Sequence, residues 1–171
     1  MNPVARPASP DDAERIAQIY NEGIEDRVGT FETRPRTVQD VVAWFDGTHP
    51  IVAVEHDGTV IAFASTSSYR SRDCYAGIAE FSVYVAREAR GHGAGRIAMG
   101  ALIDAVGPAG IWKLVSRIFI ENTASRKLMA SVGFREVGIY EKHARLDGQW
   151  RDVVIVELLI PENLLARENS I

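Results

Sequence analysis

Seven consecutive residues between a predicted strand and a predicted helix have the types and spacing of an anion-binding loop: Arg90, Gly91, His92, Gly93, Ala94, Gly95 and Arg96. Glycines reach backbone conformations closed to other residues and let a ligand approach the main chain. The free N–H groups and the dipole at the start of the next helix attract an anion. The loop is therefore a candidate phosphate cradle, to which Arg87 or Arg90 would add charge.

Spacing separates the kinds of phosphate loop that this stretch could form. A P-loop requires Gly-x-x-x-x-Gly-Lys-Ser/Thr, which is absent, and a dinucleotide fingerprint requires a glycine where the chain has Arg96. What remains is Arg90-x-x-Gly93-x-Gly95 after a strand. On the loop alone, a glycine-rich surface turn with incidental arginines stays open as an alternative.

Composition bounds the partners and the setting of these residues. With 171 residues, 46% of them hydrophobic, the chain suits a single domain over residues 1–171, in which 161–171 form a polar C-terminal tail. The net charge of −4 offers no general attraction to nucleic acid or to anionic lipid. Cys74 is the only cysteine, which excludes an intrachain disulfide and fits a cytoplasmic protein. The longest apolar run, 153–160, contains Glu157 and is too short to span a membrane.

Hydrophobic periodicity alternates between strand and helix along the chain and predicts a mixed α/β domain. Ser9-Pro-Asp-Asp12 and Thr37-Val-Gln-Asp40 predict two helix starts, and Asp57-Gly58 predicts a hairpin turn. The order is β, α, α, β, β, β, α, β, α, β, β. The predicted strands are 4–6, 51–55, 60–67, 80–85, 113–118, 135–142 and 150–159, with a second helix ending near Phe45 and a late helix over 123–131.

This order and the glycine loop resemble the GNAT acetyltransferase superfamily, whose acetyl-coenzyme A loop is Gln/Arg-x-x-Gly-x-Gly/Ala. Asn122-x-x-Ser125-x-x-Leu128 is similar to the turn and helix that follow the loop in these enzymes. Within the superfamily, the chain resembles the phosphinothricin and arsinothricin N-acetyltransferases in Thr30-Phe-Glu-Thr33, Tyr69-Arg-Ser-Arg72, the segment 79–85 and Gly148-x-Trp150-x-Asp152. The resemblance implies an α/β (α+β) GNAT fold: a mixed, mostly antiparallel sheet flanked by helices and splayed at the two strands around the acetyl-CoA site.

The resemblance also implies roles for the acetyl donor. The pyrophosphate would lie on the amides from Arg90 to Arg96, and a bulge near Val83 would turn a main-chain amide toward the acetyl oxygen, beside Val85. Asn122, with Ser125, would contact the pantetheine arm, and its alternative is a helix-cap asparagine. The four histidines show no metal-binding spacing, so we expect no metal.

The acceptor side rests on five residues. Glu80 matches the glutamate proposed as general base in the family, and its alternative is a strand-end carboxylate paired with a nearby arginine. Arg72 and Tyr75 match substrate contacts, Phe31 resembles a pocket wall, and Arg70 adds a second cation to the same loop. Departures are Asp147, where some relatives have histidine, and Ala76-Gly77. His143 is better interpreted as structural or exposed than as a base.

The expected activity is transfer of an acetyl group from acetyl-CoA to the α-amine of a small amino acid such as phosphinothricin, arsinothricin, or methionine sulfone or sulfoximine, by direct attack and as a means of detoxification. Alternatives are another amine, such as a polyamine, an aminoglycoside or a protein N-terminus, and a noncatalytic CoA-binding module. Family resemblance implies a homodimer, with the last strands and Trp150 as a possible seam.

Overall fold

The computed structural model describes residues 2–168, which form seven strands and five helices. The strands are β1 (Val4–Pro7), β2 (Ile51–His56), β3 (Thr59–Ser68), β4 (Ile78–Val85), β5 (Lys113–Phe119), β6 (Arg135–Leu146) and β7 (Gln149–Leu159). The helices are α1 (Ala13–Asp26), α2 (Val38–Val42), α3 (Ala94–Val106), α4 (Thr123–Ser131) and α5 (Pro161–Glu168). Within residues 2–168, no helix combines the length and the apolar character that a bilayer crossing requires.

Short side chains begin the first two helices as their spacing predicts. The Asp12 carboxylate accepts the Ser9 N–H at 2.9 Å, although one 3-10 turn precedes α1 proper. Thr37 and Asp40 form a reciprocal capping box, because each side chain accepts the other's N–H, at 3.1 and 2.8 Å. Helix α2 ends at Val42, earlier than predicted, but a turn hydrogen bond from the Phe45 N–H to Val42 O continues the coil.

Two hairpins of the sheet each turn through two residues. Asp57 and Gly58 have φ values of 49° and 76°, which confirms the predicted turn between β2 and β3. Asp147 and Gly148 repeat this conformation, with φ of 48° and 79°, and join β6 to β7. The sequence analysis did not identify this second hairpin. It therefore placed the end of β6 at residue 142, whereas the strand runs to Leu146.

Helix α5 occupies residues 161–168 of the segment that was expected to form a polar C-terminal tail, and the sequence analysis did not predict this helix. Pro161 stands at its first position, where the missing N–H costs no hydrogen bond. The Asn163 amide donates to the carbonyl oxygens of Gly107 and Ile111, at 2.9 and 2.7 Å, and ties the helix to the end of α3. Residues 169–171 lie outside the described residues.

The sheet has the order β1-β2-β3-β4-β5-β7-β6, and every neighbouring pair is antiparallel except β4 with β5. That parallel pair is joined for three residues only, 78–80 with 113–115. Strand β4 continues to Val85 and β5 to Phe119, so the two strands separate beyond Glu80 and Val115. The predicted splayed, mostly antiparallel sheet is confirmed.

Helices cover both faces of the sheet around β4. A Cβ atom at Gly23 in α1 would lie 2.6 Å from the Tyr84 ring, whereas one at Gly95 in α3 would lie 3.4 Å from Val85. Because successive strand residues point to opposite faces, α1 and α3 lie on opposite sides of β4. The main core lies between these layers, and its largest fully buried side chain is Phe63.

Two helical glycines provide a matched test of this packing. Gly23→Ala should destabilise the fold by about 1–3 kcal/mol, because the Tyr84 ring is held by Tyr20 and Phe63 at centroid distances of 4.9 and 5.6 Å. Gly100→Ala meets open space in α3 and should stabilise by roughly 0.5–1 kcal/mol. Urea unfolding of both variants checks the signs, and a neutral Gly23→Ala would contradict the packing.

Candidate active site

The separation of β4 and β5 leaves main-chain groups of β4 facing a gap. The Ala86 N–H donates to Ile61 O at 2.8 Å, and the register from Ala62–Val85 to Ser68–Ala79 is continuous. Main-chain groups alternate in direction along a strand, so those of Val83 and Val85 point away from β3 and toward β5. Pairing with β5 has ended there, and the gap offers an N–H at Val83 to a ligand.

The expected bulge near Val83 is absent from this pairing. Strands β3 and β4 keep one register along the whole ladder, and the irregularity in this half of the sheet lies between Val54 and Glu55 of β2. The resemblance was wrong on this detail. The exposed amide at Val83 arises from the loss of β5 as a partner and not from an extra residue.

The glycine loop adds donors at the other end of the gap. Gly91 and Gly93 have φ values of 78° and 87°, and a Cβ atom at either position would meet nothing within 4 Å. The N–H groups of Arg90 and Arg96 are bonded to Arg87 O and Gly93 O. Among the described residues, the N–H groups of residues 91–95, which include His92 and Ala94, have no such partner. Free amides at the start of a helix are the groups that bind anions in proteins, and these five are available for such a contact.

The arginines before the loop are neutralised by acids at the end of α1. Asp26 binds both Arg87 and Arg90, each at 2.7 Å, and Glu25 binds Arg87 at 2.9 Å. Burial alone would raise the pKa of Asp26, but hydrogen bonds from the two arginines lower it below the ordinary value. Arg90 also donates to Val85 O at 3.1 Å and so holds the strand end against the loop. These arginines position the loop more than they add free charge.

Asn122 makes the contacts of a helix cap. Its side-chain oxygen accepts the Ser125 N–H at 3.2 Å, and its amide nitrogen donates to Val28 O at 3.0 Å. Asn122 therefore joins the β5–α4 turn to the segment after α1. This is the alternative that the sequence analysis left open for this residue.

Glu80 lies at the last position of β4 that pairs with β5, and it forms an ion pair with Arg117 of β5. The distance from Arg117 Nη1 to Glu80 Oε1 is 3.0 Å, and the two side chains are 36% and 33% exposed. The carboxylate thus faces the gap, with access to solvent, and has the arginine partner that its alternative interpretation called for. No sequence signal singled out Arg117, because nothing local marks a residue that lies across a strand gap.

The loop before β4 carries the predicted cationic residues. Arg70 and Arg72 are exposed, and with Tyr69 and Tyr75 they line an open cavity of about 570 Å³. A hydrogen bond to Tyr69 raises the pKa of Arg70, whose guanidinium lies 5.1 Å from that ring. Ser67 pairs with Glu80 across β3 and β4, so this loop begins immediately beside the carboxylate.

Phe31 approaches the same region from the segment between α1 and α2. Its ring contacts Phe119 edge to face at 4.7 Å between centroids and lies 6.2 Å from His143. Tyr140 continues the series at 5.3 Å from His143, and its hydroxyl adds to the raised pKa of Arg70. Tyr140 is 53% exposed at this rim. An aromatic arc therefore connects Phe31 to the cationic loop.

No cluster of three or more histidine, cysteine, aspartate or glutamate side chains suited to a metal ion occurs among residues 2–168.

Comparison with known proteins agrees with this architecture. The model of the acetyltransferase (GNAT) family matches residues 15–134. This chain belongs to the GNAT acetyltransferase family. A phosphinothricin N-acetyltransferase of Streptomyces coelicolor is 31% identical over 159 residues, which cover 89% of this chain and 93% of the relative. An L-methionine sulfoximine/L-methionine sulfone acetyltransferase of Salmonella typhimurium is 28% identical over 89% of this chain and 91% of its own.

A solved GNAT structure extends the likeness to three dimensions. The phosphinothricin acetyltransferase of Sinorhizobium meliloti, crystallised in complex with acetyl-CoA, superposes with a TM-score of 0.86 at 26% identity. The superposition covers 94% of this chain and 89% of that one. The splayed strands and the glycine loop described above therefore belong to a fold that binds acetyl-CoA in a relative.

Asp26→Asn should weaken the anchoring of the glycine loop in a pH-dependent way. The pKa of Asp26 is lowered in the folded chain, so its contribution to stability is present above the ordinary value of 3.8 and is lost as pH falls through the folded value. At neutral pH we expect a loss of up to about 1 kcal/mol in the free energy of unfolding. Urea titrations from about pH 7 to about pH 3 should show the difference from wild type shrinking toward acid.

Asp57→Asn serves as the control, because Asp57 is 89% exposed and asparagine suits the same turn. A loss in Asp26→Asn that does not change with pH would contradict an ionic origin.

Proposed function

We propose that this chain transfers the acetyl group of acetyl-CoA to the α-amine of a small amino acid whose side chain carries a second anionic or strongly polar head. The observation that carries the proposal is the arrangement along β4: an anion-binding loop follows the strand, a loop with two exposed arginines precedes it, and Glu80 lies between them. The activities named for the two relatives support the substrate class.

The acetyl donor would lie in the gap between β4 and β5. Its pyrophosphate would accept hydrogen bonds from the amides of residues 91–95. The sequence analysis expected donors from Arg90 to Arg96, but the N–H groups of those two residues are already bonded within the chain. The Val83 N–H would polarise the thioester carbonyl, and Val85 would line the pantetheine arm. Ser125 is an additional contact in α4, whereas Asn122 would reach the donor only beside the cap that it already forms.

The reaction would proceed by direct attack of the amine on the thioester. Glu80 would take one proton from the ammonium group, directly or through a water molecule, so that a lone pair becomes available. The new N–C bond forms as the C–S bond breaks, coenzyme A leaves as a thiolate, and the remaining ammonium proton passes to that thiolate or to solvent. No residue is assigned to this last transfer, since a thiolate leaves without prior protonation.

The acceptor would lie against the aromatic arc and the cationic loop. Arg70 and Arg72 would bind its anionic groups, Tyr75 would close the cavity and Phe31 would form its wall. Phosphinothricin, arsinothricin, methionine sulfone and methionine sulfoximine all combine an α-amine with such a head. Acetylation of these compounds would be a detoxification reaction, which we place in the cytoplasm because it consumes acetyl-CoA.

A thiol-release assay over a panel of amines tests the proposal. We expect turnover with phosphinothricin or methionine sulfone, and a decrease in kcat of about 10²- to 10⁴-fold in Glu80→Gln, because the variant cannot take the proton. Glu136→Gln is the control, since its carboxylate pairs with Arg126 elsewhere on the surface, at 2.7 Å. Turnover only with polyamines, aminoglycosides or peptides would overturn the acceptor class, and tight cofactor binding without any turnover would identify a noncatalytic module.

We also propose a homodimer that covers the outer face of β6 and β7. Large apolar side chains are exposed there, including Ile139 at 52% and Trp150 at 56%, and β6 is an edge strand along its whole length. Light scattering should give twice the single-chain mass of 18.8 kDa, and Trp150→Lys should reduce it. A wild-type mass of one chain would refute the dimer.

A further inference from the structure

The ion pair between Glu80 and Arg117 lies where β4 and β5 part, and the roles proposed for the donor site do not explain it. Arg117 Nη1 donates to Glu80 Oε1 at 3.0 Å, and among residues 2–168 this is the only hydrogen bond of either side chain. The second carboxylate oxygen and the remaining guanidinium N–H groups therefore stay available. Both side chains are about one-third exposed, so a ligand can reach them.

The position of the pair does not serve the pairing of the sheet. The ladder between β4 and β5 ends at Glu80 and Val115, and Arg117 lies two residues beyond that end. Its neighbour on the other side is Ile155 of β7. An exposed pair of this kind contributes little to stability, typically less than about 1 kcal/mol. The fold therefore depends little on this pair, and its charges are free to bind a ligand.

The surroundings of Arg117 match the acceptor side. Residues 115, 117 and 119 of β5 share one face, and Glu80 is in register with Val115 on that face. Phe119 on the same face contacts Phe31, the expected wall of the acceptor cavity. The guanidinium thus lies on β5 between the candidate base and the aromatic wall, whereas Arg70 and Arg72 belong to the loop before β4.

A free α-amino acid is a zwitterion whose ammonium and carboxylate groups are attached to the same carbon atom. An anion and a cation held side by side offer the complementary arrangement. A guanidinium with free N–H groups can bind a carboxylate through two parallel hydrogen bonds, which a neutral carboxamide cannot match. A polycationic acceptor would instead meet the charge of Arg117.

We infer that Arg117 is a specificity-determining residue that binds the α-carboxylate of the acceptor while Glu80 receives its α-ammonium group. The inference rests on the proposed function and narrows it to free amino acids. It assigns the two charges of the zwitterion to one ion pair, and it leaves Arg70 and Arg72 for the polar head of the side chain. Amino acids with a blocked carboxylate are then poor acceptors even when their amine is free.

The experiment compares methionine sulfone with its α-carboxamide in wild type, Arg117→Gln and Arg117→Lys. The amine of the amide is intrinsically less basic, so each variant is compared with wild type on the same acceptor. Arg117→Gln should lower kcat/KM for the free acid by roughly 10- to 100-fold, mainly through KM, and should change the amide by less than about 3-fold. For Arg117→Lys, kcat/KM for the free acid should lie between the values for wild type and Arg117→Gln, because lysine keeps the charge and loses the paired donors.

Arg34→Gln is the matched control, since its guanidinium pairs with Asp40 at 3.1 Å on the exposed side of α2. It should leave both acceptors unchanged. Equal losses for acid and amide in Arg117→Gln would show that Arg117 only holds Glu80 in place and would overturn the inference. So would a wild type that acetylates both acceptors equally well, although the proposed function would then survive. Turnover of neither acceptor would overturn both.

Discussion

The parting of β4 from β5 after Glu80 and Val115 is the constraint on which the rest of the structure depends. Main-chain N–H and C=O groups must find partners, and beyond this point β4 has β3 on one side and none on the other. Part of the need is met locally, because Arg90 donates to Val85 O. What remains is a strand edge inside the protein instead of at its margin. An extended ligand can bind such an edge without competing with the fold.

The sequence predicted those parts of the fold that local chemistry determines. The Thr37 cap and the Asp57-Gly58 turn follow from residues a few positions apart, so the structure has them where the pattern indicated. Asp147-Gly148 carried the same signal and was missed because it had been assigned to a family motif. Helix α5 was missed because a short polar segment has little helical preference of its own, and its anchor, Asn163, binds carbonyl groups more than 50 positions earlier in the chain.

The candidate site was predictable in its residues and less so in its electrostatics. Sequence clusters at 70 and 72 and at 87, 90 and 96 were expected to supply positive charge for anions. In three dimensions Asp26 and Glu25 neutralise Arg87 and Arg90, while Arg70 and Arg72 stay exposed. The acids belong to α1, some 60 residues earlier in the chain, and no spacing rule connects them to the loop. Arg117 escaped notice for the same reason, because its partner lies across the gap.

An arginine beside a candidate base changes what kind of acceptor can bind at low cost. A lone cation that binds the second carboxylate oxygen of Glu80 meets the like charge of Arg117 and brings that guanidinium no partner. A zwitterion brings a charge of the opposite sign to each member of the pair, so Glu80 and Arg117 both gain a partner and no charge is left over. Both groups are accessible to such a ligand because the pair is about one-third exposed and weak. The same pair thus favours free amino acids twice, by attraction of their carboxylate and by the penalty it imposes on simple amines.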